Sequence, residues 1–450
     1  MAELQKNQLH TVTVSGYSGE GMGVARIDGR VVFIAGALRG EVCEIQILKV
    51  LKSVAYARVK RLLSPSPQRQ ESDCTAFPRC GGCAFRHMTY EEELALKRER
   101  VEDALARIGG SNVVVEEILG AEDTRRYRNK AQFAVGSGGT IGFYRARTHE
   151  VITCETCLLV HREAEDAMRA VKIYLDKYSV APYDEATGKG LLRHLYVRSN
   201  RVGECLICLV VNGKKLPYEE DLSALLREAC PSCVGIVLAI NTKRGNVILG
   251  EAYRTLWGEN HLEDTLCDLT FRLSVPSFYQ INRDQAEKLY QKAIDFAAFM
   301  GSETVLDLYC GVGTITLAMA KHCKRVIGAE IVPQAIEDAK DNAVRNGIEN
   351  AEFFCGDASA IAKKLASEHL RPNVITVDPP RKGLAQDVVE SIVSMSPDRV
   401  VYVSCDPATL ARDVRRFADL GYDAVRAAAV DMFPRADHVE TVVLMSRVKE

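Results

Sequence analysis

The stretch "VLDLYCGVGTITLAMA" (residues 305–320) decides how the C-terminal part of the chain folds. Val305–Leu308 is an apolar run of strand length, Gly311 and Gly313 make a tight turn, and the residues from Thr314 onward continue as an apolar helix. A strand that passes through a glycine turn into a helix leaves free backbone N–H groups at the helix start, where a ligand can approach. Working outward, "RVIGAEI", "NVITVDPP" and "RVVYVSCDP" read as further buried strands, with helices such as 333–346 between them. Strands alternating with helices imply a parallel sheet covered on both faces.

The glycine pattern is D-x-x-x-G-x-G, without the third glycine in register that a dinucleotide fingerprint carries. The next strand ends in Glu330, and an acid at that tip can grip a ribose diol. This variant resembles motif I of the S-adenosylmethionine-dependent methyltransferases. That resemblance turns Asp307, Gly311 and the rest of the 309–313 loop toward the methionine part. It also puts Glu330 on the ribose and Asp357 of "FFCGDAS" near the adenine.

Two more strand tips carry chemistry, Asp378 in "VITVDPPRKG" and Cys405 in "VYVSCDPATLARD". Ligands of open α/β sheets bind beyond the carboxyl ends of the strands, so Cys405 should lie near a bound cofactor. A cysteine taken alone is as readily a small buried hydrophobe. One methyl acceptor does need a thiol. Uracil C5 is a poor nucleophile until a thiolate adds to C6, and a base must then remove the C5 proton so that the thiol can leave. "RADHVETVVLM" offers Glu440 at the head of the last strand.

Together, "DLYCGVGTITL", "VDPPRKG", "VYVSCDPATLARD" and "DMFPRADHVETVVLM" closely resemble the RNA uracil-5-methyltransferase family. "YRNKAQFAV", "GFYRARTHEVI", "LLRHLYVR" and "FYQINRDQAEKLY" extend the likeness over nearly the whole chain. The resemblance implies Cys405 as nucleophile and Glu440 as proton-abstracting base, with Gln280, Tyr309, Glu330 and Asp378 at the cofactor. It ranks Tyr309 above Asp307 and Gly311, which spacing alone singles out. The N-terminal segment resembles a TRAM domain.

Fifteen cysteines are many for a chain with no secretory leader pattern at its start. "CTAFPRCGGC" spaces Cys74, Cys80 and Cys83 as C-x5-C-x2-C. With a fourth thiolate they suit an iron–sulfur cluster or a tetrahedral zinc, and spacing does not choose between them. The resemblance implies a [4Fe-4S] cluster with Cys157 as the fourth ligand. Cys154 is the rival, and Leu158 stands where the family usually has proline. The spacing is not the C-x3-C-x2-C of radical S-adenosylmethionine enzymes, so the cluster is expected to serve structure or RNA positioning. Cys205/Cys208 and Cys230/Cys233 read as packing, the first pair pointing to opposite faces of an apolar strand.

The expected architecture is multidomain α/β. Residues 1–63 form a small OB-like β-barrel, with Asp28-Gly29 as a hairpin turn. Residues 64–272 form a central α+β RNA-binding domain carrying the cysteine loop and a helix over 90–108. Residues 273–450 form the Rossmann-like catalytic domain. Composition is that of an ordinary globular protein, 47% hydrophobic and 26% charged with net charge −2. No run approaches the roughly 20 apolar residues of a membrane span. The chain is expected to be a cytoplasmic monomer.

Net charge excludes a uniformly basic surface but not local patches. Arg125–Lys130, Arg145, Arg147, Arg193, His194 and Arg198 are candidate RNA contacts. The expected substrate is 23S ribosomal RNA, since the barrel and cysteine loop resemble the ribosomal branch of the family, with transfer RNA as the alternative. A non-catalytic RNA-binding protein on the same fold is a third reading.

Overall fold

A computed structural model describes residues 4–448, in two compact units. The first unit holds the segment up to Pro78 together with 83–100 and 435–437. Its six-stranded sheet runs in the order Leu9–Thr13, Val42–Val50, Val54–Ser64, Arg30–Ala35, Gly23–Ile27, Gly16–Tyr17. The two edge strands are consecutive in sequence, so residues 14 and 15 carry the backbone from one edge to the other and the sheet closes around Ala25, Val32, Ile34, Ile45 and Ala55. Asp28 and Gly29 take left-handed backbone (φ 48° and 82°), the turn that matches the twist of a hairpin.

The helix spans Tyr90–Arg107. Its buried face holds Val101 and Leu105 but also charged residues. Ile108 is exposed, and Glu93 and Lys97 are fully buried. They persist there because Lys97 Nζ donates to Glu93 Oε1 at 2.7 Å, while Glu93 also accepts from the Arg435 backbone N–H at 2.7 Å.

The second unit holds two larger sheets. One has seven strands, with Leu192–Ser199, Cys205–Val211 and Cys233–Ile240 at its centre. The helices Arg162–Tyr178 and Glu219–Ala229 pack on one face. Cys205 joins that core and Cys208 the opposite one, as alternation requires.

The other sheet has eight strands, in the order Ala351–Cys355, Arg325–Glu330, Thr304–Leu308, Val374–Val377, Arg399–Ser404, Glu440–Arg447, Tyr422–Val430, Val115–Leu119. The first five are parallel, and Glu440–Arg447 enters antiparallel beside Arg399–Ser404. Two features depart from the expected division of the chain. Val115–Leu119, from the segment assigned to the central domain, pairs parallel with Tyr422–Val430. The boundary at 272/273 falls inside the strand Leu269–Ser274.

Candidate functional site

All five parallel strands end at one rim of the sheet, and a cavity of about 870 Å³ opens there. Tyr309, Gly311, Glu330 and Asp357 line one part of it, following three successive strands. Gln280, Asp378, Cys405 and Glu440 also line it. Thus eight of the nine residues expected at the cofactor and reacting centre share one cavity.

The ninth, Asp307, does not reach the cavity wall. It is 1% exposed beneath the glycine loop and accepts from the Thr316 hydroxyl. Burial, against the Thr316 and Thr376 hydroxyls, raises it to about 7. Asp307 therefore ties the turn to the following helix from below.

The loop above is held open by its backbone. Gly311 and Gly313 have φ of 57° and 83°, and Tyr309 adopts φ 70°, which is strained for a residue with a side chain. An added Cβ at Gly311 would meet nothing within 4 Å, so the loop faces free space. At Gly313 it would stand 3.2 Å from Ala339 Cβ. The Glu330 carboxylate accepts from Gly311 N at 3.3 Å and Val332 N at 3.0 Å, which fixes it across the loop. Asp357 caps the helix Ala358–Ser367, accepting from Ser359 N at 3.0 Å. Gln280 is positioned from a distant segment, because Asn129 Nδ2 donates to its carbonyl at 2.8 Å.

Ser404 pairs with Thr441 in the antiparallel ladder, so the next step of the register sets Cys405 opposite Glu440. Directly opposed residues share a face. Burial and the neighbouring Asp378 push Glu440 up to about 8. Burial and Asp307 push Asp378 to about 7. The Cys405 thiol is pushed up to about 11 by burial, then by Glu440 and Asp378, with Arg381 opposing. Cys405 immediately precedes the helix Pro407–Ala418, capped by Asp406, and that dipole favours a thiolate. Burial and the two acids outweigh it.

Sequence reasoning passed over a second layer. Asp413 is fully buried and accepts from Leu384 N at 2.8 Å, Tyr402 Oη at 2.8 Å and Arg416 Nη1 at 3.0 Å. It locks the loop after Asp378–Pro380 to the helix after Cys405. Its only signal is its place in "PATLARD". Arg381 and His438 bond at 2.8 Å and also line the cavity, as does Phe278, which is 65% exposed.

Arg193, His194 and Arg198, all among the expected RNA contacts, are not surface groups. Arg198 is 1% exposed and donates to Ser277 O at 2.6 Å; Arg193 is 3% exposed and donates to the carbonyls of Asn241 and Lys243. Both guanidiniums hold loops, Arg193 through Nη1.

The four cysteines of the expected cluster divide between the units. Cys74 and Cys83 belong to the first, where Cys83 Sγ accepts from Arg86 Nε at 3.3 Å. Cys80 and Cys157 belong to the second. A hydrogen bond from Cys154 brings Cys157 down to about 6 against its burial, which makes Cys154 a thiol partner of Cys157. Among the described residues no three His, Cys, Asp or Glu side chains are gathered closely enough to hold a metal ion. No described helix is long and apolar enough to cross a membrane.

Comparison with known proteins agrees with this geometry. The model of the tRNA (uracil-5-)-methyltransferase family matches residues 89–448, and that of the TRAM domain matches residues 3–60. An uncharacterized RNA methyltransferase of Halalkalibacterium halodurans is 42% identical, covering 99% of this chain and 98% of its own. One from Clostridium tetani is 40% identical, covering 98% and 97%. Among solved structures, the tRNA (uracil-54, C5)-methyltransferase of Pyrococcus abyssi, in complex with S-adenosyl-L-homocysteine, is similar with a TM-score of 0.79. It is 26% identical and covers 97% of this chain and 99% of its own.

Proposed function

Since the chain belongs to the tRNA (uracil-5-)-methyltransferase family, we propose that Cys405 and Glu440 carry out methylation of uracil C5 in RNA. The observation that carries this reading is the register that opposes the two side chains at the cavity beyond the strand ends.

S-adenosyl-L-methionine fits the cavity. The glycine loop is open, and two carboxylates follow successive strands within reach of a nucleoside. Gln280, Tyr309, Glu330, Asp357 and Asp378 would hold it, with Gly311 and the buried Asp307 shaping the loop. When bound it supplies an electrophilic methyl group. Cys405 adds as thiolate to uracil C6, so that C5 gains the electron density of an enolate. The helix that starts at Pro407 favours that thiolate. Glu440 then takes the proton from C5, and the ring re-forms as Cys405 leaves. A carboxylate raised to about 8 is a base matched to neutral pH. The uracil must leave any base stack to reach a half-buried thiol.

The test is RNA carrying 5-fluorouridine, run on a denaturing gel after incubation with S-adenosyl-L-methionine. Fluorine at C5 cannot be removed as a proton, so a covalent protein–RNA band is expected, absent from Cys405→Ala. Measured donor binding with no band on any 23S fragment or transfer RNA overturns the mechanism in favour of a binding protein.

For the RNA itself we propose 23S ribosomal RNA, on the cysteine loop and its resemblance. Transfer RNA is favoured by the likeness to the Pyrococcus abyssi enzyme. That likeness covers too much of this chain to omit the N-terminal sheet, so the sheet does not separate the two substrates. Methyl transfer to the two classes of transcript decides. The [4Fe-4S] cluster rests on the family resemblance of the C-x5-C-x2-C loop, since the spacing by itself suits zinc equally. Iron and sulfide analysis of anaerobically purified protein tests it, and no step above depends on it.

A further inference from the structure

A second cavity, of about 760 Å³, lies in the second unit beside the seven-stranded sheet. Its wall is aromatic: the rings of Tyr144 and His149 stand 5.4 Å apart, and His149 is 60% exposed. Across from them Tyr183 lies under the Arg193 guanidinium, 4.3 Å from ring to cation. Arg193 and His194 form the floor. Both are more than nine-tenths buried, yet Arg193 Nε and His194 Nδ1 have no hydrogen-bond partner among the described residues. Buried polar atoms are seldom left so, and unpaired ones mark capacity that a ligand or water takes up. Asp184 and Glu185 stand at the rim, and Glu185 bonds His149 and the Tyr144 hydroxyl.

We propose that this cavity receives a second, unreacting nucleobase of the RNA, one bearing an exocyclic amino group. The assignment rests on the reading of the protein as an RNA-modifying enzyme. Splayed-out bases stack on aromatic and histidine rings, which the wall provides. The two rim carboxylates repel a phosphate, so the base and not the backbone enters. Carboxylates accept from amino groups, which adenine, guanine and cytosine carry and uracil lacks. The cavity thus selects against the base type that the reaction centre requires, and it fixes where a strand lies without competing for the target uracil.

The experiment measures affinity by fluorescence anisotropy for oligo(A), oligo(C) and oligo(U) of about 12 nucleotides. Ala186→Trp fills the mouth of the cavity. Ala186 is exposed, and its turn is held by its backbone N–H to Asp184 Oδ1 at 2.8 Å, which the change leaves in place. Glu185→Ala removes the acceptor and gives an independent reading if the first variant does not fold. Each should weaken oligo(A) and oligo(C) by roughly tenfold, about the effect of losing one stacked base, and leave oligo(U) unchanged. Equal affinities for wild type and variants, or equal loss on oligo(U), overturn the proposal. Tight saturable binding of AMP alone would assign the cavity to a free nucleotide and also overturn it. S-adenosyl-L-methionine affinity and kcat on RNA transcripts should be unchanged in both variants, with KM for RNA raised. If the wild type transfers no methyl group while Ala186→Trp still weakens oligo(A) selectively, the methylation reading falls and this one stands.

Discussion

Cys405, just past the end of the strand Arg399–Ser404, and Glu440, the first residue of the antiparallel strand beside it, stand one step beyond the Ser404–Thr441 pair and line the same cavity. Two side chains set by strand register cannot drift apart without breaking the ladder, which suits the successive steps proposed for them.

That pairing predicts distinct arrest points. Cys405→Ala should form no covalent species on RNA yet bind S-adenosyl-L-methionine normally. Glu440→Gln should complete addition and methyl transfer but fail to lose the C5 proton, so a methylated covalent adduct should build up on ordinary RNA. Gel shift with labelled methyl groups checks both. Free methylated RNA released by Glu440→Gln at the wild-type rate would remove Glu440 from the role.

The raised acid gives a pH dependence. Turnover needs Glu440 ionised, so release of product should rise with pH up to about 8. Stability should run the other way. Below the unfolded-state value near 4.5 the group is neutral in both states and costs nothing. Between 4.5 and about 8 only the unfolded chain gives up the proton, so stability falls as pH rises. Glu440→Gln removes that penalty, and its Tm advantage over wild type should be larger at pH 8.5 than at pH 5.

Gly313→Ala places a side chain at φ 83° and 3.2 Å from Ala339 Cβ. Left-handed backbone costs roughly 1–2 kcal/mol for a residue with a Cβ. A Tm decrease and a weaker S-adenosyl-L-methionine affinity are expected by thermal melts and calorimetry. Tyr309→Ala keeps the strained backbone but loses the ring, and should weaken donor binding by about tenfold with little change in Tm.

Asp413→Ala leaves the Tyr402 hydroxyl and the Leu384 N–H without this acceptor and takes the carboxylate away from Arg412 and Arg416. Removing one partner from a buried charged network typically costs about 3–5 kcal/mol. Denaturant titration should show that loss. Asp413→Asn, which keeps an acceptor oxygen, should recover part of it.

What the sequence made legible was local. The 305–320 run, the strand tips and the Asp28-Gly29 turn each carry their geometry in adjacent residues. Cys405 and Glu440 each stand at a strand end, which is enough to place both on the cavity wall. The misses are all non-local. Arg198 looks like a surface cation until the Ser277 carbonyl arrives from another segment. The burial of Glu93 beside Lys97 shows only when the Arg435 backbone N–H arrives from far along the chain. Asp413 has four partners, and only its neighbour Arg412 and nearby Arg416 lie on its own helix. Asp307 looks like a ligand contact because spacing fixes its strand, not its depth.

The strand Val115–Leu119 seals the edge of a sheet whose other members come from the last third of the chain. The catalytic half is therefore not a detachable cassette. A fragment beginning at residue 273 would expose the bare edge of Tyr422–Val430, including the apolar run Ala427–Val430, as a template for other strands. Such a fragment should associate edge to edge. Grafting this chemistry onto a different RNA-binding module requires bringing along the residues that precede the seven-stranded sheet as well.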